Sequence, residues 1–462
     1  MKAWKHCRDG KTEEFVFAMN PTPGVAFVVM GKGPRNVAVD FGVETLTHYG
    51  GIYLIHRFLS RIDMKRAIAL EMRLSQRNNR YSVGEMVLAL MYPMMLGLER
   101  LETTQLLRQN GVFQYLTGMR SYPDPTTLRR FLFRIAPLLL PRLRKMHDHF
   151  ITRMAQMPRK STRLIFDVDS TVLVLYGSQE QAKVGYNPKK RGRPSYHPLL
   201  CFEGTTKDYW HGELRPGDAH TARGAKELLA ACIAKAPHGV RLKIVRADKG
   251  FYDHKLMEWL DVEKVKFVIV AKLTAPIKHR LGRLRYTKVS QGVEAAEFRA
   301  APAHGARMQR YVVIRRPEPE EEGEQLRLFK MGRYRYQALV TNLPLRPLNL
   351  WRFYNDRAGI ELVIKQLKAD YAMSSIPTRF FMANEAYFQL LLLAYNVVNW
   401  FKRLCLPIGY QAATLQTLRN KILLMPAQLR RTHNRPRLAM PASGEREEAW
   451  RYALGQIKRL KA

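Results

Sequence analysis

The chain has 462 residues, 46% apolar and 25% charged, which is enough for a substantial core divided over two or three packed units and excludes a disordered polymer. Its 77 Lys and Arg against 39 Asp and Glu give a formal charge of +38, spread over the whole length. A field of that size repels itself unless a polyanion screens it. Nucleic acid is the natural partner, because phosphates neutralised by Lys and Arg release condensed counterions. A ribosome-associated or structural RNA-binding protein would share this charge but has no use for clustered carboxylates. Cys7, Cys201, Cys232 and Cys405 lie far apart with no CxxC pair. They read as buried hydrophobes of a reducing compartment rather than as a zinc site or disulfide framework. The N-terminus, MKAWKHCRDGKTEEF, lacks the apolar core of a secretory signal, and a cytoplasmic chain without a membrane partner is expected.

In chain order, residues 1–40 are rich in Gly, Pro and charge and are expected to form a loose leader. Residues 41–157 carry apolar residues at helical spacing in YLIHRFLSRI, VGEMVLALMYPMMLGL and LRRFLFRIAPLLLPRLRKMHDHF, which predicts a helical domain. Asp124-Pro125-Thr126-Thr127 is a helix start, and Arg129 and Arg130 in its first turn oppose the helix dipole. An external anion such as DNA phosphate would suit them; solvated basic residues on an amphipathic helix are the alternative. After Pro158 the texture turns to strands: RLIFDVD, HPLLCFEGT, YWHGELRP, RLKIVRAD and KFVIVAKL, with a hairpin at residues 206–208 and helices at 221–235 and within DHKLMEWLDVE. This order predicts an α/β mixed sheet covered by helices. Residues 275–347 read as a β-rich insertion. Helix returns at Leu348 and runs to residue 404. Within it, FQLLLLAYNVVNWF is too short to cross a membrane and contains Gln389, Asn396 and Asn399, so it predicts a buried core helix. Residues 405–462 form a basic, Pro-interrupted region without an assigned role.

Three carboxylates stand out. Asp169 ends a strand in DVDST, and Asp248 ends RLKIVRAD just before Lys249 and Gly250. Carboxylates at neighbouring strand ends make a hard, oxygen-rich site suited to Mg²⁺ or Mn²⁺, although an Asp in such a place is also a common turn residue or helix cap. Asp167 points to the same face as Asp169 and competes with it as the first ligand. The third, Glu361, lies in YNDRAGIELVIKQLK. At about 100° per residue, Tyr354, Arg357, Glu361, Lys365 and Lys368 fall within about 80° of one another, while Ile360, Val363, Ile364 and Leu367 face elsewhere. A salt-bridged surface would account for this stripe. So would a carboxylate holding metal beside cations that hold phosphates.

The spacing Tyr354, Arg357, Glu361, Lys368 resembles the Y-R-E-K signature of DDE transposases of bacterial insertion sequences. DVDST, RADKGFYD, YNDRAGIELVIKQLKADY and the intervening GYNPKKRGRPSYHPLL resemble more closely the insertion-sequence 1380 family, from about Val39 to about Met440. The resemblance implies an RNase H-like catalytic domain (158–274 and 348–404) interrupted by the insertion, and a DNA-binding function for the N-terminal helices. It makes Asp169, Asp248 and Glu361 the ligands of two metal ions, and Tyr354, Arg357 and Lys368 contacts to phosphates near the transposon end. The D-x-T form of the broader family favours Asp169 over Asp167. In the mechanism it implies, ions about 4 Å apart serve an in-line displacement at phosphorus, first by water and then by the freed 3′-OH on target DNA. Paired double-stranded ends imply at least a homodimer. Lys189, Lys190, Arg191 and Arg193 resemble the core of a minor-groove hook, and a basic loop on phosphate is the plainer expectation. His197 and His211 are expected to be structural. Residues 275–350 hold no Trp, and Trp351 lies just beyond, so no base-stacking role is assigned and a hairpin intermediate stays open. A nuclease or resolvase of the same fold, or a domesticated DNA-binding protein, are the rival readings.

Overall fold

The structure is a computed structural model describing residues 44–73, 80–158, 161–187, 190–318, 334–433, 435–441 and 444–460. The expected leader, Cys7 and Lys189 lie outside the described residues. The helical segment forms α1 (Ile52–Arg61), α2 (Met64–Glu71), α3 (Val83–Leu96), α4 (Gly111–Thr117) and α5 (Pro125–Met154). Its boundaries follow local chemistry. Ser82 and Glu85 form a capping box at the start of α3, and Asp124 accepts the Thr126 N–H at 2.9 Å to start α5 as expected.

The strands are β1 (Arg163–Ser170), β2 (Leu199–Glu203), β3 (Tyr209–Glu213), β4 (Leu242–Ala247), β5 (Lys266–Val270), β6 (Thr287–Ser290), β7 (Val293–Ala300), β8 (Gln309–Pro317) and β9 (Tyr334–Thr341). Helix α6 (Ala225–Ala234) links β3 to β4, and α7 (His254–Val262) links β4 to β5. All nine strands belong to one sheet, ordered β6-β7-β8-β9-β5-β4-β1-β2-β3. β1, β4 and β5 are parallel; β1-β2, β2-β3 and β5-β9 are antiparallel. The residues expected to form an insertion therefore extend the central sheet through β9, rather than building a separate one. From Leu46 onward the chain is one compact unit.

The later helices are α8 (Pro347–Asn355), α9 (Ala358–Ala369), α10 (Phe381–Cys405) and α11 (Glu445–Arg459). On β1, Leu164, Phe166 and Val168 enter the larger core, while Ile165 joins Ile244, Val268, Leu350 and Tyr354 on the opposite face. That second face also carries Asp167 and Asp169, because side chains alternate along a strand.

Helix α10 is the expected core helix. Among the described residues no helix is long and apolar enough to cross a membrane. Its polar residues seal the outer edge strand. Asn396 accepts the Tyr209 N–H and donates to the Tyr209 carbonyl, both at 2.8 Å, and Gln389 donates to the Gly212 carbonyl at 2.9 Å. Glu385 accepts the Leu214 N–H at 2.7 Å, and Asn399 donates to the Thr206 carbonyl at 2.8 Å. An edge strand left open would offer these groups to another chain. The unassigned C-terminal region packs back on this body. Strand Ala427–Thr432 pairs on one side with Arg435–Ala439 and on the other with Leu46–Thr47, and α11 packs on α1 and α10.

His147 on α5 lies buried against this seal, receiving an Asn396 N–H at 2.9 Å. Burial, and then the charges of Lys235 and His211, hold its pKa well below the ordinary 6.5. The folded state therefore binds fewer protons than the unfolded chain once pH drops below the unfolded value, and stability is lost in that direction. Between pH 7.5 and 5.5, denaturant unfolding of the wild type should lose about 1.4 kcal/mol more than that of His147→Gln. Equal losses would contradict a neutral buried imidazole.

Candidate active site

β1 and β4 run parallel with Asp167 opposite Arg246, and each residue lies two positions before a candidate carboxylate, Asp169 or Asp248. Period two puts this pair one layer beneath the candidate site. Arg246 closes on Asp167 through two hydrogen bonds, Nε to Oδ1 at 2.6 Å and Nη2 to Oδ2 at 2.7 Å, with the side chains 1% and 0% exposed. The third donor, Nη1, reaches the Phe353 carbonyl at 2.6 Å near the end of α8, and the guanidinium lies over the Phe353 ring. Gly204 keeps the pair's flank clear: a Cβ there would stand 2.6 Å from Arg246 Nη2 and 3.0 Å from Asp167 Oδ2. Asp167 is thus committed to an internal ion pair, which favours Asp169 over it as the first ligand.

Asp169 is only 16% exposed at the strand end and accepts the Ser170 N–H at 2.8 Å. Asp248 caps the short turn Lys249–Phe251, accepting the Gly250 N–H at 2.9 Å. Position 250 of that turn is crowded for any side chain, because a Cβ at Gly250 would meet Thr221 Cγ2 at 2.6 Å. Behind the two aspartates, His197 is hydrogen-bonded to Ser170 Oγ at 3.1 Å and to the Ala219 carbonyl at 2.8 Å. Arg215 Nε donates to the His197 carbonyl at 2.9 Å, and its Nη1 approaches the Thr221 carbonyl at 3.4 Å. His197 is therefore structural, as expected. His211 is half-buried near Lys235, and burial first, with the Lys235 and Arg144 charges, lowers it to about 3.

The Y-R-E-K segment is not one helix. α8 ends at Asn355 and α9 begins at Ala358, but Asp356 and Arg357 keep right-handed helical dihedrals, so the expected stripe survives in phase. Its two ends differ in burial. Tyr354 and Arg357 are inside, 8% and 4% exposed, whereas the Glu361 side chain is 66% exposed and Lys365 is exposed. Arg357 Nη2 donates to the Val168 carbonyl at 3.1 Å and lies 3.2 Å from Asp169 Oδ2, while Nη1 lies 3.4 Å from Glu361 Oε1. Lys368 donates to the Val172 carbonyl at 2.9 Å.

Arg129 pairs with Glu102, the two side chains 36% and 61% exposed, so an anion of the chain itself faces the helix start. Arg130, Lys190, Arg191 and Arg193 are exposed.

The electrostatics tie the carboxylates together. Burial, reinforced by Asp248 and Glu361 and opposed by Arg357, raises Asp169 to about 6. Burial also raises Tyr354 to about 12, with Asp248, Glu361 and Asp169 adding to the effect and Arg357 opposing it. A phenol of that pKa stays protonated at neutral pH and donates a hydrogen bond; it is poorly suited to be a nucleophile. Burial works against the Arg357 charge, yet Asp169, Tyr354, Asp248 and Asp167 outweigh it and raise its pKa.

The description "Transposase DDE domain group 1" is that of a family model matching residues 30–462. The chain belongs to this family of DDE transposases. No curated protein matches it. Among solved structures this transposase is similar to one described as a piggyBac transposase synaptic complex with hairpin DNA, at 15% identity over 81% of this chain and 79% of that one. The TM-score of 0.38 is too low for that likeness to carry any argument.

Sequence reasoning missed Arg246. Its signal was available: an Asp and an Arg, each two residues before a candidate ligand on strands of like direction. Removing one partner of a buried pair strands the other's charge, at about 3–5 kcal/mol, whereas an apolar pair of similar volume restores much of the loss. Arg246→Met should therefore lower unfolding free energy by about that amount, and Asp167→Leu with Arg246→Met by clearly less. Denaturant titrations of the three proteins test this; a double variant no better than the single one would contradict the pairing.

Proposed function

We propose that this transposase cuts DNA at the ends of a bacterial insertion sequence of the 1380 type and joins the freed 3′-OH to target DNA. The observation that carries the reading is the meeting of Asp169, Asp248 and the Glu361-bearing helix at the ends of β1 and β4. The order β3-β2-β1-β4-β5, antiparallel on one side of β1 and parallel on the other, supports an RNase H-like catalytic domain.

Three carboxylates form an all-oxygen donor set of the kind hard divalent cations take. Asp169, raised by burial and then by the like charge of Asp248 and Glu361, is a group that an added cation would relieve. Among the described residues no three acidic, His or Cys side chains enclose an ion as they stand. Arg357, between Asp169 and Glu361, already supplies positive charge there. Asp169, Asp248 and Glu361 would hold two Mg²⁺ or Mn²⁺ ions, which when bound stabilise charge on the attacking and leaving oxygens.

The protein's own groups orient the strand. Arg357 and Lys368, fixed by the Val168 and Val172 carbonyls, and exposed Lys365 hold backbone phosphates, and the protonated Tyr354 donates to one. Lys190, Arg191 and Arg193, with Lys189, extend this contact along the DNA, and Arg130 with its helical segment adds to it. Water attacks phosphorus and the 3′-oxygen leaves with a proton; that hydroxyl then attacks a target phosphorus and displaces its 3′-oxygen. Two ends held together call for a homodimer on paired double-stranded DNA, working in the cytoplasm on the nucleoid.

The test is strand cleavage and joining on DNA carrying the element's ends, with and without Mg²⁺. Asp169→Ala, Asp248→Ala and Glu361→Ala should each lower cleavage by about a thousandfold or more while DNA binding persists. Cleavage by Glu361→Ala at the wild-type rate would overturn the triad. Cleavage without any joined product would instead indicate a nuclease.

A further inference from the structure

Past Ser170, the last residue of β1, the chain leaves the central sheet and builds a small one of its own, Leu173–Val174, Pro194–Tyr196 and Lys183–Val184, with Pro194–Tyr196 in the middle. Both outer strands run antiparallel to the central one, so they run in the same direction. Tyr176 and Tyr186 each follow their strand's last residue by two positions and emerge from the same end of the small sheet. Arg193, preceding the central strand, enters at that end too. Both tyrosines are strongly exposed, at 72% and 79%. Lys190 lies 5.1 Å from the Tyr176 ring centroid and bonds its hydroxyl. Arg191 and Arg193 are exposed, and the Arg193 charge acts on Tyr176.

The base of this small sheet is anchored. Tyr196 is fully buried and donates to the Glu180 carbonyl at 2.7 Å. Glu180 N–H donates to the Arg379 carbonyl at 2.7 Å, and its carboxylate accepts the Phe381 N–H at 2.9 Å at the start of α10. The ladder back toward the site is continuous: Thr171 N–H bonds the Pro198 carbonyl at 3.2 Å and Leu175 N–H the Pro194 carbonyl at 3.0 Å. An anchored base with two exposed phenols among cations is a poor use of surface in a chain that needs only solubility, since large aromatics gain nothing in water. It suits a partner offering flat rings and negative charge.

We propose that Tyr176 and Tyr186, with Lys190 and Arg193, form a stacking platform for unpaired nucleotides of the DNA strand passing the candidate active site. The inference rests on the reading of this chain as a DNA-cutting transposase and names the form of DNA that this part of it takes. Neighbouring strands lie about 4.8 Å apart, so the two outer strands are separated by about 10 Å. That leaves room for two bases at a stacking step of about 3.4 Å. Tyr176 is seven residues beyond Asp169, a reach of at most about 23 Å of extended chain and so about seven nucleotides from the candidate site. Stacking is indifferent to base identity, so the platform grips a strand without reading it.

The probes are a 5′-labelled oligo(dT) of 20 nucleotides and a blunt 20-base-pair duplex, titrated with the full chain by fluorescence anisotropy at 0.15 M salt. Tyr176→Ser with Tyr186→Ser should weaken oligo(dT) binding by about tenfold or more and change duplex binding less than about twofold. Tyr176→Phe with Tyr186→Phe should bind both probes like wild type, since the ring and not the hydroxyl stacks. The inference is overturned if the Ser variant binds oligo(dT) like wild type, if both probes lose affinity equally, or if the Ser variant instead shifts the oligomeric state in sedimentation, which would make the tyrosines a contact between protein copies. Failure on these counts with Mg²⁺-dependent cleavage intact rejects only the platform. A wild type that binds neither probe rejects the DNA-processing reading and the platform together.

Discussion

The closure of Arg246 on Asp167, one layer beneath the strand ends, fixes where the third carboxylate can stand. Two of its guanidinium nitrogens hold β4 to β1, and the third holds the Phe353 carbonyl, eight residues before Glu361. Arg357 adds a second fastening through the Val168 carbonyl. A buried arginine with donors pointing three ways suits this task because its planar fork is pre-organised, whereas a lysine would supply one point charge. The cost of taking both charges out of water is offset only while every donor is satisfied, so the pair constrains the geometry around it.

Above that layer the problem reverses. Burial makes the Asp169 charge costly, Asp248 and Glu361 add like charge to it, and Arg357 lies between Asp169 and Glu361 as an internal cation. The result is a site whose carboxylates are assembled by the protein alone and whose balance of charge would shift when a cation or a phosphate arrives. The excess of basic residues elsewhere favours the approach of a polyanion to this place.

Much of this was readable from residue order. β1, β4 and β5 follow apolar runs, the helix start at Asp124 follows its cap, and the phase of Tyr354, Arg357 and Glu361 survived a break between helices. What could not be read depended on distant partners. Nothing local in β6 to β9 says that they continue the central sheet through β9 against β5. Nothing in residues 427–439 announces pairing with Leu46–Thr47, since only Ala427 of the two strands is buried and neither carries an apolar run. The pairing of Arg129 with Glu102 was not readable either, because Glu102 lies in a different element. Alternation alone leaves Asp167 a competitor of Asp169, because it gives a face but not a depth; Arg246 supplies the difference.

The most direct measurement is the anomalous difference map of crystals soaked in Mn²⁺. Density among the carboxylates of Asp169, Asp248 and Glu361, with Arg357 withdrawn from Asp169 and the Asp167–Arg246 pair unchanged, is the predicted result. Density on Asp167 in place of Asp169, or an Mn²⁺-saturated crystal with none at these carboxylates, would contradict it.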